Sequence, residues 1–288
     1  MRRLVALSLL FGLLLSGCAA NTAAGEEALQ PAEKNEVTTA LELQEFFESG
    51  GSYAQLKADI NMEDTMLKLT SARGPVELIG NGYTIAGSAP CVIRMEDGCS
   101  IALNSVTVSA KQTGIGLLGG GTISAADSVI SAKLNAIQAA GALTIAKESS
   151  LTLSGEGSGI LALGVSILED SALTVSAVTT AITTGRGDLT LYPRAKISCE
   201  AAGDNVVKVD GTLVLMEDTV LDAANTGEHN GARIGSLQAK ESATLNAKGG
   251  VNGAGLFVVE LYEDITLRGF STPDLKIEAG KGNLTFDA

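Results

Sequence analysis

The chain has 288 residues, of which 45% are apolar and only 3% aromatic, so its core must consist of aliphatic side chains and alanine. The net charge of −13 argues against nucleic acid as the main partner, because nucleic-acid-binding proteins present a basic surface. One histidine and four cysteines argue against zinc-finger and cysteine-rich scaffolds. The 34 glycines and 5 prolines instead favour many tight turns between short strands.

The N-terminal residues have the features of an export and lipidation signal. A basic start is followed by an apolar run over residues 4–15, which is shorter than the about 20 residues needed to span a bilayer. The run ends at Leu15-Ser16-Gly17-Cys18, which resembles the lipobox of bacterial lipoproteins. That resemblance implies a signal peptide over residues 1–17 and a lipid on Cys18. We therefore expect an extracytoplasmic protein that is lipid-anchored to a bacterial membrane.

Two segments separate this signal from the rest of the chain. Residues 18–37 are rich in alanine and glutamate and lack a periodic apolar face, so they predict a flexible tether after the lipidated cysteine. Residues 39–50 predict a short amphipathic helix, in which Thr39 is placed as the N-cap and Gly50 as the C-cap.

A repeat of 22 or 24 residues runs through most of the remaining sequence. Aliphatic residues or alanine recur as anchors at Ile79, Ile101, Ile123, Ile145, Ile167, Leu191, Leu215, Ala239 and Leu261. Six residues after each anchor stand Ile85, Thr107, Val129, Leu151, Leu173, Ile197, Leu221, Leu245 and Leu267. About eight residues before an anchor stand Ile93, Ile115, Ile137, Ile160, Ile182 and Val207. Apolar alternation around these positions predicts three short strands per repeat, each with one face inward.

Stacked repeats of this kind bury a continuous aliphatic core that one repeat could not bury alone. The pattern resembles the right-handed parallel β-helix of the pectin-lyase-like superfamily, as does the turn Gly80-Asn81-Gly82-Tyr83-Thr84-Ile85. We therefore predict an all-β fold over residues 38–288, a single-stranded parallel β-helix of about nine rungs of 22–24 residues, capped by the helix at 39–50. The sustained register disfavours a β-sandwich, whose turns recur every 8–12 residues.

The three cysteines after Cys18 have different predicted environments. Cys199 stands eight residues after an anchor, in the same column as Leu153 and Val175, and is expected to fill the core. Cys91 and Cys99 are close in sequence, and an extracytoplasmic compartment would permit a disulfide between them. The sequence leaves open whether they are bonded.

Charged residues follow the anchors of successive repeats. The acidic ones are Glu169, Asp170, Glu217, Asp218, Glu263 and Asp264, and Pro193-Arg194 interrupts them. Stacking at about 4.8 Å per rung would place these carboxylates along one corner, as an acidic ridge. Such oxygens could hold Ca²⁺, with Arg194 as a base, whereas a solvated turn is the simpler interpretation. We predict no resident metal or cofactor.

Four residues are candidates for contact with a ligand. Tyr192 is an aromatic residue at an outward position in the middle of the repeat region, close to Arg194. His229 is the only histidine and stands where residues 225–232 replace an expected strand by a loop, and Arg233 follows it. Tyr192, Arg194, His229 and Arg233 together define the candidate ligand face.

The family resemblance implies carbohydrate-active enzymes, and the residues test that implication. The polygalacturonase motifs Asn-Thr-Asp, Asp-Asp, Gly-His-Gly and Arg-Ile-Lys do not occur in the chain. We assign no catalytic residue and expect a non-catalytic surface lipoprotein whose β-helix contacts a glycan or a cell-envelope protein. A polysaccharide lyase is the first alternative. The second is a structural or assembly protein that acts through an open last rung, since an uncovered strand edge can pair with another chain.

Overall fold

The computed structural model describes residues 35–240 except residue 73, residues 243–248, and five strands beyond residue 250. Side chains are described through Ala247. The predicted signal peptide, Cys18, residues 18–34 of the tether, Glu263, Asp264 and the end of the last rung at residue 288 lie outside the described residues. Within the described residues, no helix combines the length and the apolar character needed to cross a membrane.

The described elements are one helix and 30 strands. In chain order they are β1 (Asn35–Val37), α1 (Ala40–Ser49), β2 (Tyr53–Leu56), β3 (Ile60–Asn61), β4 (Leu67–Leu69), β5 (Val76–Ile79), β6 (Thr84–Gly87), β7 (Cys91–Met95), β8 (Cys99–Asn104), β9 (Thr107–Ala110), β10 (Thr113–Leu117), β11 (Gly121–Ala126), β12 (Ser128–Ala132), β13 (Asn135–Ala139), β14 (Ala142–Ile145), β15 (Ser150–Gly155), β16 (Ser158–Ala162), β17 (Gly164–Ile167), β18 (Ala172–Ala177), β19 (Thr180–Thr184), β20 (Leu189–Leu191), β21 (Lys196–Ala201), β22 (Val207–Leu215), β23 (Val220–Asn225), β24 (Ala232–Ala239), β25 (Thr244–Lys248), β26 (Val251–Asn252), β27 (Phe257–Leu261), β28 (Ile265–Arg268), β29 (Lys276–Ile277) and β30 (Leu284–Asp287).

The strands wind into a parallel β-solenoid of about nine turns, as predicted from the repeat. Each rung contributes one strand to each of three faces, and strands on successive rungs pair in parallel. The first face contains the anchor strands β5, β8, β11, β14, β17 and β20. The second face contains β3, β6, β9, β12, β15, β18, β21, β23, β25, β28 and β30. The third face contains β4, β7, β10, β13, β16 and β19. From β22 onward, one strand serves both the third and the first face.

The predicted capping helix is confirmed and has the expected caps. Thr39 accepts a hydrogen bond at 3.2 Å from the backbone N–H of Glu42, whose carboxylate accepts one at 3.1 Å from the Thr39 N–H. This reciprocal pair is a capping box. Gly50 ends the helix in the left-handed region with a φ of 90°. The apolar side of α1, which includes Leu43, is buried in the solenoid core.

The tether prediction is wrong for its last three residues, which form β1. Val37 pairs with Leu56 of β2 and is only 1% exposed. Its side chain joins the same hydrophobic core as Leu43 of the helix. The solenoid domain therefore begins at Asn35 rather than at residue 38, because an apolar side chain at position 37 is buried in the core instead of remaining in solvent.

The anchor column is confirmed for eight of its nine members. Ile101, Ile123, Ile145, Ile167, Leu191, Leu215, Ala239 and Leu261 are consecutive partners along the first face. Ile79 is the exception, because it pairs with Asn104 and is half-buried, while Val76 pairs with Ile101. The rung from Val76 to Ile101 is 101 − 76 = 25 residues long, three more than the next, so a count of 22 placed the anchor three residues too late.

The third-face column is confirmed from Ile93 through Val207. The second-face column is confirmed from Leu151 onward but is wrong for Thr107 and Val129, which face outward. In those rungs Val108 and Ile130 point inward instead, and Ile85 pairs with Val108. The cause is a corner that is one residue shorter, and a slip of one residue moves every side chain of a strand to the opposite face.

The three cysteines are free thiols. Cys199 is 3% exposed in the column of Val175, which confirms it as a core residue. The suggested Cys91–Cys99 disulfide is wrong, because Cys91 begins a third-face strand and contacts the Met66 sulfur at 3.2 Å, whereas Cys99 begins a first-face strand and faces the Leu69 carbonyl. Burial raises the pKa of all three thiols, so thiolate chemistry is disfavoured at each.

Candidate functional site

The acidic residues of the predicted ridge stack at the first corner, between the first and second faces. Asp170, Arg194 and Asp218 occupy equivalent turn positions, all in the left-handed region, with φ values of 58°, 63° and 56°. Backbone hydrogen bonds join the turns of successive rungs, from the Asp170 N–H to the Pro193 carbonyl at 3.2 Å and from the Arg194 N–H to the Glu217 carbonyl at 3.0 Å. The predicted stacking is therefore present for the described members of the ridge.

Basic side chains bind the carboxylates of this ridge. Arg194 donates two hydrogen bonds to Asp170, from Nε to Oδ1 at 2.6 Å and from Nη2 to Oδ2 at 2.7 Å. The Lys240 ammonium lies 3.4 Å from Glu217. The hydrogen bond from Arg194 lowers the pKa of Asp170, and Asp170 in turn raises the pKa of Arg194 above its ordinary value. A guanidinium held in this way is a poor candidate for a general base.

The same ion pair bears on the suggested Ca²⁺ site. Both oxygens of Asp170 already accept hydrogen bonds from Arg194, while Ca²⁺ requires six to eight oxygen ligands. Within the described part of the chain, no group of three or more His, Cys, Asp or Glu side chains is arranged to hold a metal ion. The described ridge is thus an ion-paired corner of the solenoid.

Beneath the ridge lies a ladder of buried hydroxyls that the sequence analysis missed. Ser128, Ser149 and Ser171 follow the left-handed turn residues of three successive rungs, and each is 1% exposed. The Ser171 hydroxyl accepts from the Ser149 N–H at 3.2 Å and donates to the Ala146 carbonyl at 2.8 Å. Ser149 accepts from the Ala125 N–H at 3.2 Å. These hydroxyls satisfy backbone groups that the turns leave unpaired, and serine at the same place in successive repeats was the available signal.

Replacing Ser171 by alanine is expected to lower the free energy of unfolding by about 1–3 kcal/mol, because a buried N–H and a buried carbonyl lose their partner. The matched control is Ser198→Ala, which removes an exposed hydroxyl from β21 and should change stability by less than about 0.5 kcal/mol. Urea unfolding followed by circular dichroism measures both variants. Equal stabilities for the two would show that the ladder contributes nothing.

The four residues of the predicted ligand face do not form one surface. Tyr192 and Arg194 lie in the turn before β21, at the first corner, whereas His229 lies in the loop after β23 and Arg233 lies in β24. His229 and Arg233 therefore belong to the second corner, between the second and third faces. The six residues of β21 span about 20 Å and separate the two corners. The prediction of a single ligand face is wrong, because the side chains lie on different corners of the triangular rung.

The loop that carries His229 is held by Asn225, which the sequence analysis did not single out. Asn225 is 4% exposed, and its Oδ1 accepts hydrogen bonds from the N–H groups of Gly227 at 2.8 Å and His229 at 3.3 Å. Its Nδ2 donates to the Asp204 carbonyl at 2.7 Å. The Asp204 carboxylate lies 2.9 Å from the Lys208 ammonium, which lowers the pKa of Asp204. His229 itself is exposed at the surface of this ordered loop.

A long concave cavity of about 820 Å³ runs along the second corner. We call it the corner groove. Its floor is formed by outward residues of the second face, among them Ser109, Ser131, Ser154 and Ser176 on four consecutive rungs. Its rim is formed by the corner residues Glu63, Asp64, Lys111, Lys133, Glu156 and Val178. The lining extends from β3 to β18, which is six rungs, or about 24 Å at 4.8 Å per rung.

Small residues create the groove, and their pattern is visible in the sequence. The tripeptides Ser109-Ala110-Lys111, Ser131-Ala132-Lys133, Ser154-Gly155-Glu156 and Ser176-Ala177-Val178 repeat a serine, then alanine or glycine, then a corner residue. At Gly155 a Cβ atom would lie 2.5 Å from the Ser158 carbonyl oxygen, so the backbone at this rung leaves no room for a side chain. The analysis of apolar columns missed the groove because small polar residues do not stand out as core positions.

The groove is the best candidate for ligand binding among the described surfaces. It joins a concave shape to hydroxyl groups that recur on successive rungs, each able to donate and to accept hydrogen bonds. Compared with protein-family models, with curated proteins and with solved structures, the chain has no significant match.

Proposed function

We propose that this protein is a non-catalytic, lipid-anchored surface protein of a bacterial envelope that binds an extended glycan in the corner groove. The observation that carries the proposal is the groove itself, a cavity of about 820 Å³ lined by residues of six rungs. A groove that follows the solenoid axis suits a linear polymer rather than a compact small molecule, because equivalent groups recur at every rung.

The chemistry of the groove supports a glycan. The hydroxyls of Ser109, Ser131, Ser154 and Ser176 repeat at about 4.8 Å, and a sugar polymer offers hydroxyls at short, regular intervals as their partners. Alanine and glycine between these serines and the corner residues keep the wall low, so a chain can lie against the backbone. The resemblance to the pectin-lyase-like superfamily belongs to this proposal and agrees with a carbohydrate ligand.

The N-terminal sequence supports the proposed location. A lipid on Cys18 would anchor the protein, and residues 19–34 would connect the anchor to the solenoid that begins at Asn35. The solenoid carries most of the net charge of −13 and would be repelled by an anionic lipid surface. Tether and charge together would keep the groove away from the membrane and open to a polymer in the surroundings.

Three observations favour binding over cleavage. Arg194, the base suggested for a lyase, is engaged by Asp170 through two hydrogen bonds. The buried thiols have raised pKa values and do not line the groove. The groove floor presents neutral hydroxyls without a neighbouring histidine to activate them, since the groove lining contains none.

The experiment that tests this proposal uses the full-length protein in detergent and native gels that contain neutral or acidic polysaccharides, with and without Ca²⁺. We expect retarded migration in at least one polymer and no cleavage products from the same polymer. Shortened or unsaturated products would overturn the non-catalytic assignment. Unchanged migration in every polymer would overturn glycan binding.

A further inference from the structure

The rim of the corner groove has an uneven distribution of charge. Lys111 and Lys133 occupy equivalent corner positions on adjacent rungs, since each follows a strand that ends at Ala110 or Ala132, and these two alanines pair. Both lysines are exposed, and neither forms an ion pair with another described residue. Their ammonium groups therefore form a basic site at the middle of the groove, although the chain as a whole has a net charge of −13.

Acidic residues flank this basic site at both ends. Glu156 takes the corner position on the rung after Lys133, and Glu63 and Asp64 line the groove at its other end, two rungs before Lys111. The lysines and the acids lie along one track of about 24 Å. A polymer in the groove would meet negative charge, then two adjacent positive charges, then negative charge again.

We propose that the corner groove selects glycans that carry isolated acidic groups on an otherwise neutral chain, with one acidic group held between Lys111 and Lys133. This inference rests on the proposed function and specifies its ligand. A neutral chain leaves the two ammonium groups without a partner. A chain with an acid on every sugar brings further anions against Glu63, Asp64 and Glu156, where like charges repel. The acidic group is a carboxylate or a phosphate, since an ammonium pair binds either anion.

The test compares polymers that differ in the density of acidic groups. The full-length protein in detergent is run in native gels that contain arabinoxylan, which is neutral, glucuronoxylan, which carries sparse carboxylates, or polygalacturonate, which carries one on every sugar. A fourth gel contains a sparsely phosphorylated mannan. We expect glucuronoxylan or the phosphorylated mannan to bind about tenfold more tightly than arabinoxylan, as is typical when hydrogen bonds to a charged group are added. Polygalacturonate should bind more weakly than either.

Two pairs of variants assign the selectivity to the named residues. Lys111→Gln with Lys133→Gln should reduce binding of the sparsely acidic polymer to the level of arabinoxylan and leave arabinoxylan binding unchanged. The control, Lys147→Gln with Lys196→Gln, makes the same change in net charge at residues that do not line the groove and should have no effect. Glu63→Gln with Glu156→Gln should strengthen binding of polygalacturonate.

The outcomes separate this inference from the function on which it rests. Equal binding of neutral and sparsely acidic polymers, unaffected by the lysine changes, would overturn the selectivity and leave glycan binding intact. Preference for polygalacturonate in the unmodified protein would also overturn the selectivity. Failure to bind any of the four polymers would overturn the proposed function and the inference together.

Discussion

Replacing Ile145 by alanine is expected to lower the free energy of unfolding by about 2–5 kcal/mol. Ile145 is 1% exposed and lies in the anchor column, in register with Ile123 on one side and Ile167 on the other. The substitution removes three carbon atoms from an aliphatic core that has few aromatic residues to fill the space. Because every rung of a solenoid contacts its neighbours, a cavity at one rung weakens two interfaces at once.

The matched control for this prediction is Thr144→Ala. Thr144 is adjacent in β14 but points outward, so its replacement should change stability by less than about 0.5 kcal/mol. Urea unfolding at a fixed temperature, followed by circular dichroism, measures both variants against the unmodified protein. Similar losses for Ile145→Ala and Thr144→Ala would mean that the inward and outward assignments of the anchor column are wrong.

The columns of the fold were predictable where the rung length is constant. Inward positions such as Ile101, Ile123 and Ile145 repeat at an unvarying spacing of 22 residues, and a buried aliphatic column is the strongest signal that a solenoid sequence carries. The first rung is longer, which misplaced Ile79, and the shorter corners of the next rungs turned Thr107 and Val129 outward. Corner length depends on turn geometry and backbone hydrogen bonds, which an apolar pattern does not reveal.

The candidate site was harder to predict because it consists of missing side chains. The groove exists where alanine and glycine follow Ser131 and Ser154, and its shape comes from the corner between two faces. Charged and aromatic residues such as Tyr192 and His229 attracted attention by their type, yet they lie on different corners. The Arg194–Asp170 pair shows the same limit, since the two residues stand 24 apart in sequence and meet only when their rungs stack.

Filling the groove should abolish the proposed glycan binding without unfolding the protein. Ser131 and Ser154 are partners on adjacent rungs at the groove floor, and both side chains point outward. Replacing both by isoleucine adds branched side chains where the polymer would lie and removes two hydroxyls. Isoleucine suits an outward strand position, so the fold should be retained. We expect the affinity for a bound polysaccharide to fall at least about tenfold, a loss of about 1.4 kcal/mol of binding free energy.

The control for this change is the pair Thr144→Ile and Ser166→Ile. These residues are also outward partners on adjacent rungs, but they lie on the first face and do not line the groove. Native gels that contain the polysaccharide bound by the unmodified protein measure the three proteins together. A loss confined to the Ser131 and Ser154 variant places the glycan in the corner groove. An equal loss in the first-face control, or unchanged binding in both variants, would place the glycan elsewhere on the solenoid and would separate glycan binding from the groove.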